Sequence, residues 1–551
     1  MRPSLFSSLP NQNRTLSWSA RSARNGITLI LLCLGIATAS AELKVANIFG
    51  NHMILQRDRP LPIWGTSTPG DSVTVSFAGQ KVTTKADAQG AWTTTLQPLA
   101  ASKEAREMRI DSETEKNSQK ISDVLVGDVW ICGGQSNMGL YLKESFDAEA
   151  AIAAADRPQI RLRPVPPNRE ALPVPDLAPA DWAVCTPEKA ADFAAVAYHF
   201  GRTLQENVGV PIGLIEFDRG ATGIEGWVPL EGLAAMPGGL TAKLHETAAS
   251  WDPNHPMGKK AFTDAFSQIR KWIPLAQKAL ANGTAPPPEP LVPAPSLTVP
   301  GPTELFNGTV HPLVPFAIKG VIWYQGESNP GEGPEYEQKM TAMIRGWRAA
   351  WGQGNFPFYW VQLANEGSPA RTPDQDVASR YVPVREAQRR VLKEPATGMV
   401  VAIDLGEDAN GHPRNKRDVG QRLALWALAR DYGKDNPFSG PLYTEHQIEK
   451  DRIVISFDHI GSGLMVGNKE GADGRSPILE TPDAPLGHFS LCGDDNIWHW
   501  AEARIVGDKV EVRSDNVPAP KQVRYAYTMN PKGPKLYNRH GLPASPFSSS
   551  W

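Results

Sequence analysis

Between Leu43 and Leu99 short apolar runs alternate with polar positions: Met53-Ile54-Leu55, Leu61-Pro62-Ile63-Trp64-Gly65, Ser72 to Phe77 and Trp92 to Leu96. Pro69-Gly70-Asp71 and Asp87-Ala88-Gln89-Gly90 separate them as turns. A period of two broken by turn formers predicts a small β-sandwich-like module over residues 42–122, completed by the charged stretch Lys103 to Lys120. The next apolar run, Val124-Leu125-Val126 with Val129-Trp130-Ile131, predicts a buried strand that stops at Gly133-Gly134, two residues before Ser136.

Beyond this point the pattern turns to strand and helix in alternation. Residues 193–207 have helical spacing and end before Gly209-Val210-Pro211, and Ile212 to Phe217 reads as a strand closed by the turn Arg219 to Thr222. Phe316 to Tyr324 is a second apolar run, followed by a helix that places Met340, Met343, Ile344, Trp347 and Trp351 on one face. Phe356 to Leu363 and Met399 to Leu405 continue the series, and a last helix carries Val419, Leu423, Trp426 and Ala427 inward. This alternation predicts an α/β domain over 123–437, with a parallel sheet covered on both faces and its ligand crevice at the carboxyl ends of the strands. Residues 226–307 form an insertion in it, helical from Lys259 to Leu280 and then an extended proline-rich surface connection from Pro286 to Pro302. Residues 438–551 return to strand texture at Arg452 to Phe457, Ile497 to Val506, Lys509 to Val512 and Val523 to Tyr527.

Residues 1–41 stand apart. Arg2, Arg14, Arg21 and Arg24 are their only charges, Ile27 to Ala37 is mostly apolar, and Ala39-Ser40-Ala41 has the small-x-small form of a cleavage site. They predict a secretory signal, an exported periplasmic or extracellular product and no membrane span after cleavage. Loss of the four arginines takes the formal charge from −3 to −7, which argues against a nucleic-acid partner. Cys132, Cys185 and Cys492 are too widely spaced for a metal pair or a disulfide framework, and the eleven histidines show no paired metal spacing. Neither a metal nor a cofactor is expected.

Ser136, freed by glycines at a strand end, suits a nucleophile beside backbone N–H groups. A serine hydroxyl needs a base near neutral pH, and His412, between a strand and a helix in Gly406-Glu407-Asp408-Ala409-Asn410-Gly411-His412-Pro413, is the candidate. Gly133-Gly134-Gln135-Ser136-Asn137-Met138, Trp323-Tyr324-Gln325-Gly326-Glu327-Ser328-Asn329 and His412-Pro413-Arg414-Asn415-Lys416 together resemble the sialate O-acetylesterase family of SGNH hydrolases. The likeness extends to Asn47-Ile48-Phe49-Gly50, Phe306-Asn307-Gly308-Thr309 and Leu536-Tyr537-Asn538, and so covers nearly the whole chain after residue 41.

The resemblance implies an SGNH three-layer α/β sandwich and a serine esterase that removes O-acetyl groups from sugars through an acetyl-enzyme. Ser136 would attack, His412 would act as base, and the oxyanion would be held by the N–H groups of Ser136 and Gly220 and by the side chain of Gln325. Two departures stand out. Relatives commonly read Gly-Gly-Thr where this chain has Gly220-Ala221-Thr222, and Asp-x-His where it has Asn410-Gly411-His412. The histidine's partner is therefore Asp408, Asn410 or a backbone carbonyl. Glu327 is either support behind the site or a structural ion-pair partner, and Glu225 and Trp227 are assigned to packing. Trp227, Trp251, Trp498 and Trp500 could stack on sugar rings, although most of the sixteen tryptophans must be core. The expected partner is an O-acetylated glycan of sialic-acid type. Two readings stand beside it: an esterase for plant or algal polysaccharide, and a glycan-binding relative that has lost activity.

Overall fold

The strand Ser118–Gly134 is seventeen residues long and belongs to two structures at once. Its first part pairs antiparallel with Ser102–Ser112 and parallel with Ile54–Gln56, inside the amino-terminal β module. Its second part pairs in parallel with Ile212–Asp218 on one side and Gly320–Tyr324 on the other. The computed structural model describes residues 42–114, 116–236, 238–295, 300–378, 380–469 and 477–551, so the leader expected over 1–41 lies outside the described residues.

The central sheet runs in the order Ala183–Cys185, Arg157–Pro164, Ile212–Asp218, Ser118–Gly134, Gly320–Tyr324, Phe358–Gln362, Thr397–Val401. Every neighbouring pair is parallel except the short edge strand Ala183–Cys185. On one face Phe200 of the helix Ala195–Val208 meets Trp130 at 5.0 Å, and Trp426 of the helix Lys416–Asp431 meets Tyr359 at 6.1 Å. On the other, Trp347 of the helix Pro334–Trp351 packs against Phe217, Trp323 and Phe358 with ring centroids 5.8–6.2 Å apart. Alternate residues of each strand thus feed helices on opposite sides, as the pleat requires.

Arg157–Pro164 carries no apolar pattern because two of its buried positions are arginines. Arg161 is held by Asp123, and Arg163 donates to the carbonyls of Pro164 and Asn47. A single apolar core runs from Leu43 to Leu428, through both the amino-terminal module and the central sheet. The carboxyl-terminal region has its own core, from Ile453 to Phe547, inside an antiparallel sheet that is seven-stranded among the described residues.

In the insertion the helix Pro256–Ala281 spans the expected Lys259 to Leu280. Among the described residues no helix is long and apolar enough to cross a membrane, and no cluster of three or more His, Cys, Asp and Glu is placed to hold a metal. Cys132, Cys185 and Cys492 are buried free thiols.

Candidate active site

The two glycines ahead of Ser136 are fixed by close packing. A Cβ on Gly134 would lie 2.1 Å from the carbonyl oxygen of Tyr324, and one on Gly133 would lie 2.7 Å from the Phe217 ring. The end of the Ser118–Gly134 strand is thereby drawn against the end of Gly320–Tyr324, and the Gln135 N–H donates to Tyr324 O at 3.0 Å. The chain then turns through a single helical turn, Ser136–Gly139, which leaves Ser136 half-buried at the carboxyl edge of the sheet. His412 arrives from the loop after Thr397–Val401. Its Nε2 lies 2.8 Å from Ser136 Oγ, although 276 residues separate the two in sequence.

The carboxylate expected behind the imidazole is not there. Asp408 accepts from Asn530 Nδ2 at 2.9 Å and pairs with Lys532, which together hold its carboxyl below the usual range. Asn410 brackets the backbone of His412 instead of its ring: its Oδ1 accepts the His412 N–H at 3.0 Å and its Nδ2 donates to His412 O at 2.9 Å. Among the described residues no side chain hydrogen-bonds to His412 Nδ1, and the ring is exposed.

Gly220 lies beside Ser136. The Arg219 N–H donates to Gly134 O at 3.1 Å, and a Cβ on Gly220 would stand 3.5 Å from Ser136 Cβ. The backbone N–H groups of Ser136 and Gly220 have no acceptor among the described residues. Ala221 takes a left-handed φ of +57°. Gln325 corrects the expectation: both protons of its Nε2 are taken, by Thr222 O at 3.1 Å and Asn329 Oδ1 at 2.8 Å, and its Oε1 accepts from Tyr336. Fully buried, it ties strand ends together and has no free donor for an oxyanion.

A sequence-family profile for "carbohydrate esterase, sialic acid-specific acetylesterase" matches residues 306–429. The sialate O-acetylesterase of Mus musculus is 30% identical over 457 residues, covering 76% of this chain and 79% of the mouse protein. The chain belongs to the sialate O-acetylesterase family. As a member it is a carboxylic ester hydrolase. The human sialate O-acetylesterase is also 30% identical, over 76% of each chain. A crystal structure described as a novel carbohydrate acetylesterase from Xanthomonas citri is 34% identical and superposes with a TM-score of 0.74, covering 92% of this chain and all of that one.

Behind Ser136 the esterase buries a polar network that its motifs contain but whose connections the sequence did not reveal. Asn137 donates to Glu327 Oε1 at 2.5 Å and to Gly411 O at 2.9 Å, and accepts from Lys416 Nζ at 2.5 Å. It therefore ties the loop of Ser136 to the residue before His412. Burial raises the Glu327 carboxyl above its ordinary value and brings the Lys416 ammonium down to about 7, with Glu327 and Glu407 opposing the latter. Glu327 thus stands directly behind the serine loop. Glu225 is an ion-pair and hydrogen-bond partner of Lys339 and Asn329, and Trp227 is fully buried. Trp251 is buried, Trp498 is covered by the Arg524 guanidinium at 3.8 Å, and Trp500 donates to Arg371 O.

Proposed function

We propose that this esterase releases acetate from O-acetylated sugars, of the sialic-acid type named for its relatives, through an acetyl-Ser136 intermediate. The 2.8 Å approach of His412 Nε2 to Ser136 Oγ at the carboxyl edge of a parallel sheet carries the proposal. The Ser136 hydroxyl attacks the ester carbonyl as His412 takes its proton. The N–H groups of Ser136 and Gly220 hold the oxyanion, each contributing about 3 kcal/mol when preorganised. Collapse expels the sugar oxygen, which leaves protonated by His412. Water, deprotonated by the same imidazole, then attacks the acetyl ester, and acetate departs with Ser136 restored. With no carboxylate on Nδ1, the imidazolium is stabilised by solvent at its exposed edge, and the site works as a dyad.

The architecture proposed around it is an SGNH-type three-layer sandwich over 123–437, preceded by the β module of 42–122 and followed by the β-rich region of 438–551. Residues 1–41 direct export. The test is acetate release from a chromogenic acetyl ester and from a panel of acetylated glycans by the wild type and by Ser136→Ala. The variant is expected to lose at least a thousandfold in kcat, on the order found when a triad member is removed. Equal rates would overturn the serine mechanism.

A further inference from the structure

We infer that the helix Pro256–Ala281 in the insertion is an interfacial element that docks the protein onto an anionic lipid surface. Its packed face is sparse: Gly258, Ala265 and Ala276 are buried, with Phe262, Ile269 and Trp272 half-buried beside them. The apolar arc continues past that packing. Phe266, Ile273 and Leu280, spaced by seven so that they form one stripe, are 50%, 43% and 65% exposed. On the opposite flank Leu275 is 58% exposed and Met257 38%. Seven of the fourteen exposed large apolar residues among the described residues fall between Met257 and Val292. Half of them within some thirty-six residues make so dense an apolar edge that it marks an interaction site.

Charge selects the occupant. The helix carries Lys259, Lys260, Arg270, Lys271 and Lys278 against the single acid Asp264, a net of +4 on a chain of net −3. Asp264 is paired with Lys260 at 2.6 Å, and among the described residues no ion pair is formed by the other four cations. Lys259 and Arg270 lie seven and four residues from Phe266, alongside the stripe. A second copy of the helix would set like charge against like charge. A lipid surface with anionic headgroups accepts the cations and buries the stripe together, as basic amphipathic helices do when they lie in a membrane plane. At 26 residues the helix is about 39 Å long and would lie flat, because it is not apolar enough to span.

The test is sedimentation of the full-length protein with vesicles of mixed phosphatidylglycerol and phosphatidylcholine, and with vesicles of phosphatidylcholine alone. The wild type should sediment with the anionic vesicles and be released by salt. Two variants, Phe266→Ser/Ile273→Ser/Leu280→Ser and Lys259→Glu/Arg270→Glu/Lys271→Glu, should each lose roughly tenfold or more in partitioning. Because these side chains are exposed, both variants should keep the wild-type melting temperature and the hydrolysis of a soluble acetyl ester. Failure of the wild type to bind anionic vesicles overturns the inference, as does undiminished binding by the apolar variant. A concentration-dependent dimer that the apolar variant abolishes, without vesicle binding, would assign the stripe to a second copy.

Discussion

Asn410→Asp places a carboxylate two positions before the histidine, where the family resemblance implies one, yet the structure predicts that it impairs this protein. Asn410 Nδ2 donates to His412 O at 2.9 Å and to Glu407 Oε2 at 3.4 Å. An aspartate donates to neither, and sets a negative oxygen against a carbonyl and a carboxylate. The lost hydrogen bond is worth about 1 kcal/mol. Two unit charges 3.4 Å apart repel by about 1.2 kcal/mol in water, a floor for this half-buried position. The variant should therefore be destabilised by about 2 kcal/mol near neutral pH, with part of the loss recovered as the pH falls towards about 4 and the carboxylates take up protons. Its kcat should not exceed that of the wild type, because the new carboxylate is directed at the backbone of His412 and not at Nδ1. Urea denaturation at two pH values and hydrolysis of a chromogenic acetyl ester check both halves. The assay has ample range, since loss of the equivalent aspartate elsewhere costs about ten-thousandfold. A gain of tenfold or more in kcat with unchanged stability would show that the side chain reaches the imidazole, and would refute the reasoning.

Asp408→Ala should leave kcat within about threefold and cost about 1–2 kcal/mol of stability, since its partners are the exposed Lys532 and the buried Asn530, whose amide loses an acceptor. A loss of a hundredfold in the same assay would make it the base's partner after all. Lys416, held at about 7 by burial against an ordinary 10.5, releases in the folded state a proton that the unfolded chain retains between those values. Stability should therefore rise with pH from about 7 to 10.5. Lys416→Met should flatten the curve in that window, by an amount on the order of a few kcal/mol, and parallel curves would contradict this. Ala221→Gly should stabilise the turn beside the nucleophile by about 0.5–1 kcal/mol, read as a higher melting temperature, because glycine adopts φ +57° without strain.

The strands and the helices flanking them were legible because parallel sheets buried on both faces write long apolar runs, and strand-end glycines mark where the chain must pass close to another backbone. Ser136 and His412 could be singled out on that basis. Arg157–Pro164 could not, since its buried arginines are held by Asp123 and by the carbonyls of Pro164 and the distant Asn47. Gln325 shows a different limit: residue type says that an amide can donate, and only the fold says that Thr222 and Asn329 have already taken both protons. Asp408 was misjudged for the same reason, because Asn530 and Lys532 come from the carboxyl-terminal region. Asn137 and Lys416 were quoted only as motif letters, and their joint contact with the loops of Ser136 and His412 exists only in three dimensions.

The amino-terminal module is not a detachable accessory, because the boundary suggested at residue 122 falls inside the Ser118–Gly134 strand. That strand pairs with Met108, Ile110 and their neighbours at one end, is interrupted by an irregularity at Asp123, whose φ is +54°, and ends at Gly134, two residues before Ser136. A slip of one residue in its pairing beyond Asp123 would exchange its inward and outward side chains from there to Gly134. A foreign module could therefore be grafted on only if it preserved the pairing on both sides of Asp123.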